Sequence, residues 1–329
     1  MNDKNPAALI DADIQRLQFV HQQATLQNKE ELFINALEKI TTKYAMEPAA
    51  AQAKFLIAAH YNELASRYQP HGDTSNQYGK VIAKKILTEV VRDSAVKSEG
   101  WVNSYNLLTE IEKEEFSFEL EKVSVPEKPF RALVRFRNVD ALHFRLIAAT
   151  DALKSSMQQM HESKYWDALR SAPSIRSWQQ ALPKTTDLQQ HSVEIKIEAL
   201  PNGEYYLIAS KDASFGKNTG SIGAQLFYVS NISYIAQGRS FFVLHRETGQ
   251  PLSNAAVEVY TQEYNYNTSR YTKRKQGEYK TDKNGFFTVG TGSERDRGFS
   301  LNIKYNKDRL FLQDIIYNYH YEGDIVNQP

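Results

Sequence analysis

The feature that most constrains this chain is a change of hydrophobic period at Phe116. Before that residue, apolar side chains recur every three or four positions; after it, they alternate. In the first third, Ile14 and Leu17 begin one stripe and Phe33, Ala36, Leu37 and Ile40 form another. Ile57, Tyr61, Leu64 and Tyr68 repeat the pattern, as do Ile82, Ile86 and Val90, then Trp101, Tyr105 and Leu108. That spacing lines one face of an amphipathic helix. Pro48 suits a first helical turn, Pro70, Gly72 and Asp73 stop a helix, and Gly100 separates the last two stripes. Four or five helices joined by short loops pack as antiparallel hairpins. Helix pairs of this size suggest tetratricopeptide-like repeats, but that repeat's residue signature and a clean period are missing.

Beyond Phe116 the period is two. Phe116, Phe118 and Leu120 alternate with Ser117, Glu119 and Glu121. Phe130, Ala132, Val134 and Phe136 continue the rule, followed by Leu142, Phe144 and Leu146. One polar face is the mark of a half-buried antiparallel sheet. Residues from about 151 to 182, with Trp166, Leu169 and Trp178, read as a helical insertion. Strands resume at Val193, Ile195 and Ile197, turn at Pro201-Asn202-Gly203, and continue at Tyr205–Ala209 and Leu226–Val229. A second β stretch holds Ser240–His245, Ala256–Tyr260, Phe286–Val289, Phe299–Tyr305 and Leu310–Ile316, with Asp282-Lys283-Asn284-Gly285 expected as a hairpin turn. Short strands with frequent turns indicate sandwiches. The 19 tyrosines and 16 phenylalanines fit such half-buried surfaces.

Composition narrows the function classes. Lys plus Arg is 40 and Asp plus Glu 39, so no global field favours nucleic acid or anionic lipid. Cysteine is absent, which removes disulfides, thiolate metal sites and a cysteine nucleophile. No run of about 18 apolar residues offers a membrane-spanning helix. Met1–Ala8 has no signal-peptide pattern, and Gly323–Pro329 has no turn or capping logic. The chain is therefore expected to be a piece of a longer one, whose own N-terminus could carry an export signal.

No chemical constellation stands out. The eight histidines are scattered, and none has the HExxH spacing, so no metal site or cofactor is expected. Glu110, Glu112, Glu114 and Glu115 read as a solvated charged helix end rather than a catalytic carboxylate pair. No nucleophile elbow is present. Gly216, Gly220 and Gly223 lack the Lys-Ser/Thr of a phosphate loop and read as a loop before a strand. Arg270, Tyr271, Lys273, Arg274 and Lys275 form the most basic stretch, interleaved with aromatics. It fits single-stranded nucleic acid or, better, an exposed hairpin whose lysines guard a sheet edge; it is the candidate interaction loop. Asn231-Ile232-Ser233 and Asn267-Thr268-Ser269 match the glycosylation sequon, which matters only in a eukaryotic secretory pathway.

One segment is more specific. Phe242 to Tyr260 contains Thr248-Gly249-Gln250-Pro251-Leu252 and the small pair Ala255-Ala256, then Val257-Glu258-Val259-Tyr260. After a variable loop comes Tyr279-Lys280-Thr281-Asp282-Lys283-Asn284-Gly285. This resembles the N-terminal macroglobulin domains of bacterial alpha-2-macroglobulins. Carbohydrate-enzyme β-modules and carboxypeptidase-regulatory-like domains carry a similar Thr-Gly-x-Pro-Leu turn. Gly203–Ala209, Gln225–Ser233 and the stretch around Arg137-Asn138-Val139 resemble further parts of the family, in particular its large Bacteroidetes members. The likeness covers about residues 98–329; before that only helical character matches.

The resemblance implies an α+β multidomain chain: an N-terminal antiparallel α-helical region over 1–114, then two immunoglobulin-like (macroglobulin) antiparallel β-sandwiches over 115–232 and 233–329. It implies an exported, periplasmic or outer-membrane-associated scaffold for protease trapping, often a lipoprotein, with any lipid anchor outside this chain. Partners would be proteases, met through regions outside it, and further macroglobulin domains of the same chain; nucleic acid is not among them. Some members hold a Cys-Gly-Glu-Gln thioester, which this cysteine-free chain lacks. Only packing and turn residues carry over: Thr248, Gly249, Pro251, Ala255, Ala256, Thr281, Asp282 and Gly285. The chain is read as no enzyme. The alternatives are a surface adhesion or glycan-binding protein, accessory β-modules of a hydrolase, and a docking-adaptor role for the helices.

Overall fold

The structure, a computed structural model, describes residues 6–92, 96–157, 162–216, 221–265, 270–290, 298–312 and 314–317. Its fold is α+β and multidomain, with helices first and antiparallel-rich sheets after them. Contacts divide the chain into two compact units. One is Met1–Ser117 with Arg135–Ala141 and Ala181–Val193; the other is Phe118–Val134, Leu142–Gln180 and Glu194–Pro329.

The first unit is built on α1 (Ala7–Gln23), α2 (Lys29–Lys43), α3 (Ala51–Ala65), α4 (Gly79–Arg92) and α5 (Glu99–Glu112), with a 3₁₀ turn at Pro48–Ala50. Ile10, Ile14, Ile34, Leu37, Ile40, Ala53 and Ile57 form one core cluster; Ala58, Ala83, Leu87 and Ile111 form a second. The sequence stripes are partly out of phase with this burial. In α4 the buried face is Gly79, Ala83, Leu87 and Val90, while Ile82 is exposed. The reason is close helix packing on small residues. A Cβ at Gly79 would lie 2.5 Å from the Tyr61 carbonyl, and one at Gly100 would lie 2.1 Å from the Gln52 nitrogen. Ser98 caps α5, accepting from the Trp101 amide at 3.3 Å.

The later segments complete this unit. Asn138, in the left-handed region at φ 57°, donates from its amide to the Ile111 and Lys113 carbonyls at the end of α5. Those carbonyls have no partner further along the helix, so the side chain satisfies them. Gln189 donates to the carbonyls of Ala65 and Gln77, and Leu188 packs on the second cluster.

The strands in chain order are β1 (Glu115–Leu120), β2 (Val123–Ser124), β3 (Phe130–Arg137), β4 (Ala141–Ala148), β5 (Ser174–Ala181), β6 (His191–Ile197), β7 (Gly203–Ser210) and β8 (Ile222–Val229). They form sheets in the orders β1-β3-β6 and β2-β8-β7-β4-β5. Phe118 meets Phe144 at 6.0 Å and Phe130 meets Phe227 at 5.5 Å between the sheets. Pairing is antiparallel for β4–β7 and β7–β8; β2 runs parallel to β8. Between β4 and β5 stand α6 (Asp151–Met157) and α7 (Glu162–Ser171), which cover the second face of β7 through Met157, Leu169, Tyr206 and Ile208. Buried on both faces, β7 therefore reads as a continuous run, Tyr205 to Ala209.

The helical insertion expected to about residue 182 is corrected here: Ser174–Ala181 is a strand. Its inward positions are Arg176, Trp178 and Gln180, while Ile175 is exposed. An edge strand with two polar inward residues shows no apolar alternation, so its period was hidden. Trp178 stacks on Phe144 at 5.3 Å.

The remaining strands are β9 (Ile232–Gln237), β10 (Ser240–His245), β11 (Ala256–Asn265), β12 (Arg270–Lys280), β13 (Phe286–Thr288), β14 (Gly298–Tyr305), β15 (Asp308–Phe311) and β16 (Ile316–Tyr317). They form β13-β10-β9 and β12-β11-β14-β15, with β16 on β14. The core between these sheets includes Phe241, Val243, Val257, Val259, Phe287, Phe299, Leu301 and Ile303. A second correction concerns Asp282–Gly285. Strand β12 belongs to one sheet and β13 to the other, so this turn is a corner between sheets rather than a hairpin. The chain shortens into a tight turn in both cases, which is why sequence alone does not separate them.

Candidate functional site

The two motif turns are neighbouring corners of one sandwich. The first joins β10 to β11, and it too passes between sheets. Gly249 sits at φ +70°, and its amide donates to the His245 carbonyl at 2.8 Å. Thr248 accepts the Gln250 amide on its hydroxyl at 3.3 Å, and Pro251 bridges to Leu244. In the second corner, Asp282 accepts the amides of Asn284 and Phe286, each at 2.8 Å. Gly285 sits at φ +73°, where a Cβ would come within 2.3 Å of the Val243 carbonyl.

The corners are stitched together. The Val243 amide donates to the Gly285 carbonyl and the Leu252 amide to the Val243 carbonyl. Thr281 is buried; its hydroxyl accepts from Ala255 and donates to Leu252. Ala255 is fully buried, and Ala256 opens β11 opposite Lys280 and Lys304. Thr248, Gly249, Thr281, Asp282 and Gly285 thus act on the backbone of the two corners.

The basic stretch is the second strand of the long β11–β12 hairpin. Arg270 and Tyr271 stand opposite Asn265 and Tyr264; their side chains lie outside the described residues. The Lys273 ammonium lies 4.6 Å from the Phe311 ring centre, and burial lowers its pKa. Arg274 pairs with Glu263 at 3.5 Å. Lys275 pairs with Glu258 at 3.0 Å and also with Glu278. Lys304 and Asn302 reach the same Glu258 carboxylate at 3.1 and 2.6 Å. The hydrogen bond from Lys275, with that from Lys304, outweighs burial, which acts upward, and draws the Glu258 pKa down to about 2. Much of the basic charge is therefore matched within the sheet.

Three groupings were not legible beforehand. Lys154 of α6 pairs with Glu204 of β7, both side chains 8% exposed. Asp151 lies 3.0 Å from Lys154, and Arg309 lies 2.8 Å from Asp151 and 3.8 Å from Glu204. This cluster borders an open cleft of about 470 Å³ that also includes Asn202 and Lys307. In the helical unit, Asp187 is buried and meets His191 at 2.7 Å and Gln77 at 2.9 Å. Burial pushes its pKa up, but the hydrogen bonds from Gln77, His191 and the Gln189 amide outweigh it, and the net direction is down. Glu30 stands between His21 at 2.9 Å and His60 at 3.5 Å. Lys154 and Glu204, Gln77 and Asp187, and Glu30 and His60 are too far apart in sequence to leave a spacing signal.

Other residues singled out from the sequence take structural places. Glu110 and Glu115 flank Arg137 at 3.1 and 3.0 Å, and Glu112 pairs with Lys84 at 2.9 Å. Gly223 lies in β8 opposite Ala209; Gly220, His161, His320 and the sequon at Asn267 lie outside the described residues. Among the described residues no helix is long and apolar enough to cross a membrane.

No protein-family model matches the chain, and no curated protein sequence does. Partial likenesses to solved structures include the following two. One is native alpha-2-macroglobulin from Escherichia coli spanning domains MG0-NIE-MG1, at 14% identity and TM-score 0.43, covering 60% of this chain and 64% of that one. This chain thus spans less than two thirds of that structure. The other is the CARDB domain of a Pyrococcus furiosus protein in complex with di-metal ions, at 11% identity and TM-score 0.20, covering 36% and 92%.

Proposed function

We propose that the chain is a non-catalytic part of an alpha-2-macroglobulin-like envelope protein, and that its sandwiches form part of a frame for protease trapping. The observation that carries this reading is the pair of stitched corners. Residues Thr248–Leu252 and Thr281–Gly285, which carry the family resemblance, spend their side chains and glycines on holding two crossings between sheets. A site built for chemistry leaves polar groups free to meet a substrate; these meet the backbone. The proposed division is 1–114, 115–232 and 233–329. Proteases would act on regions outside this chain, further macroglobulin domains would adjoin it, and the whole protein would be exported to the periplasm or outer membrane.

The test is direct. The native full-length protein, cleaved once by a general protease, is expected to change its native-gel mobility while retaining the protease. Peptide, ester and glycoside substrates should not be turned over by the purified chain. Turnover abolished by replacing one carboxylate or histidine would overturn the reading.

A further inference from the structure

We propose that Arg246 is a clamp that holds the link between the two sandwiches in one geometry, making a fixed elbow. Strand β8 ends at Val229 and β9 begins at Ile232, so Ser230 and Asn231 alone join them. Links between domains are ordinarily exposed and flexible. Here Ser230 is fully buried. Its amide donates to the Ser124 carbonyl at 3.0 Å, and its hydroxyl accepts the Ile232 amide at 3.0 Å. The Asn231 amide donates to Asp308 at 2.8 Å.

Three successive carbonyls then converge on one residue. Arg246 Nε donates to Ser230 at 3.2 Å, its backbone amide to Asn231 at 2.6 Å, and Nη2 to Ile232 at 3.0 Å. The planar guanidinium presents its donors in a fixed fork, so two carbonyls two positions apart, those of Ser230 and Ile232, are held at a set spacing. Burial lowers the Arg246 pKa, and the carboxylates of Glu121 and Asp308 offset part of that cost. One side chain from the end of β10 thus fixes the backbone that leaves β8. The inference stands whether or not the chain serves protease trapping.

Because the chain has no cysteine, label pairs are introduced freely. Spin labels on Lys196→Cys and Lys283→Cys report across the elbow, and labels on Lys283→Cys and Lys307→Cys report within the second sandwich. The unsubstituted background should give a single narrow distance across the elbow. Arg246→Met should broaden that distribution, leave the inner pair unchanged, and raise proteolytic cutting at Ser230–Ile232 about 10- to 100-fold, as expected for lost hydrogen bonds to a charged donor. Arg246→Lys, which keeps the charge and loses the fork, should broaden the elbow distance and decides the matter where the methionine variant does not fold. An elbow distance unchanged in a folded variant, or equal broadening of the inner pair, overturns the proposal.

Discussion

The Thr281 hydroxyl accepts the Ala255 amide at 2.8 Å, one of the bonds that tie the two corners of the second sandwich. It also donates to the Leu252 carbonyl at 2.5 Å. Thr281 and Ala255 are both buried, so water cannot replace either bond. Thr281→Val keeps the shape and removes both partners at once. Leaving a buried amide and a buried carbonyl unsatisfied should cost about 2–4 kcal/mol. Thr281→Ser keeps the hydroxyl and should cost less than about 1.5 kcal/mol, for one buried methyl. Urea unfolding of the three proteins, followed by circular dichroism, checks the order.

Gly249 and Gly285 share a left-handed φ but not their surroundings. Nothing lies within 4 Å of a Cβ built at Gly249, whereas one at Gly285 would meet the Val243 carbonyl at 2.3 Å. Gly249→Ala should therefore cost only the left-handed penalty, about 1–2 kcal/mol. Gly285→Ala adds a clash with a backbone oxygen that accepts the Leu252 amide, and should cost about 3 kcal/mol or more. Equal losses in thermal unfolding would contradict the stitched-corner geometry.

Glu258 links stability to acid. Its pKa is about 2 in the folded protein against an ordinary value of 4.5. A folded pKa below the unfolded one means the stabilisation is fully present above about 4.5 and is lost as pH falls toward about 2. Glu258→Gln removes the titrating group. The difference in denaturant midpoint between the unsubstituted protein and this variant should hold above pH 5 and shrink through that window. A difference that grows on acidification would reverse the assignment.

The sequence made the change from helix to strand legible because period is a local property. Phe130–Phe136 and Leu142–Leu146 alternate, and their alternate residues Ala132, Val134, Phe136, Leu142, Phe144 and Leu146 are buried. It misplaced helix faces where small residues do the packing: Gly79 and Ala83 are buried while Ile82 is not, because close backbone approach outranks side-chain size there. It missed β5, whose inward Arg176 and Gln180 break the alternation. The corner residues were legible as turns, since Gly249, Gly285 and Pro251 constrain the backbone locally. That the corners touch was not, because Val243 and Gly285 are joined only through the sheets. The same holds for Arg246, whose partners are defined by where the link passes.

The Lys154–Glu204 pair offers a test of what buried charge contributes in this sandwich. Each partner keeps a second counter-ion: Asp151 at 3.0 Å for Lys154, and Arg309 at 3.8 Å for Glu204. Removing one partner of a buried pair ordinarily costs about 3–5 kcal/mol, because the other charge stays behind. The remaining counter-ions should limit the loss here to about 2–3 kcal/mol for Lys154→Met or Glu204→Leu. The double variant removes both charges at once and leaves neither without its partner, so it should be less damaging than the sum of the singles. A double-mutant cycle by urea unfolding should therefore give a coupling of about 1–3 kcal/mol. Strict additivity would mean that the two side chains do not depend on each other.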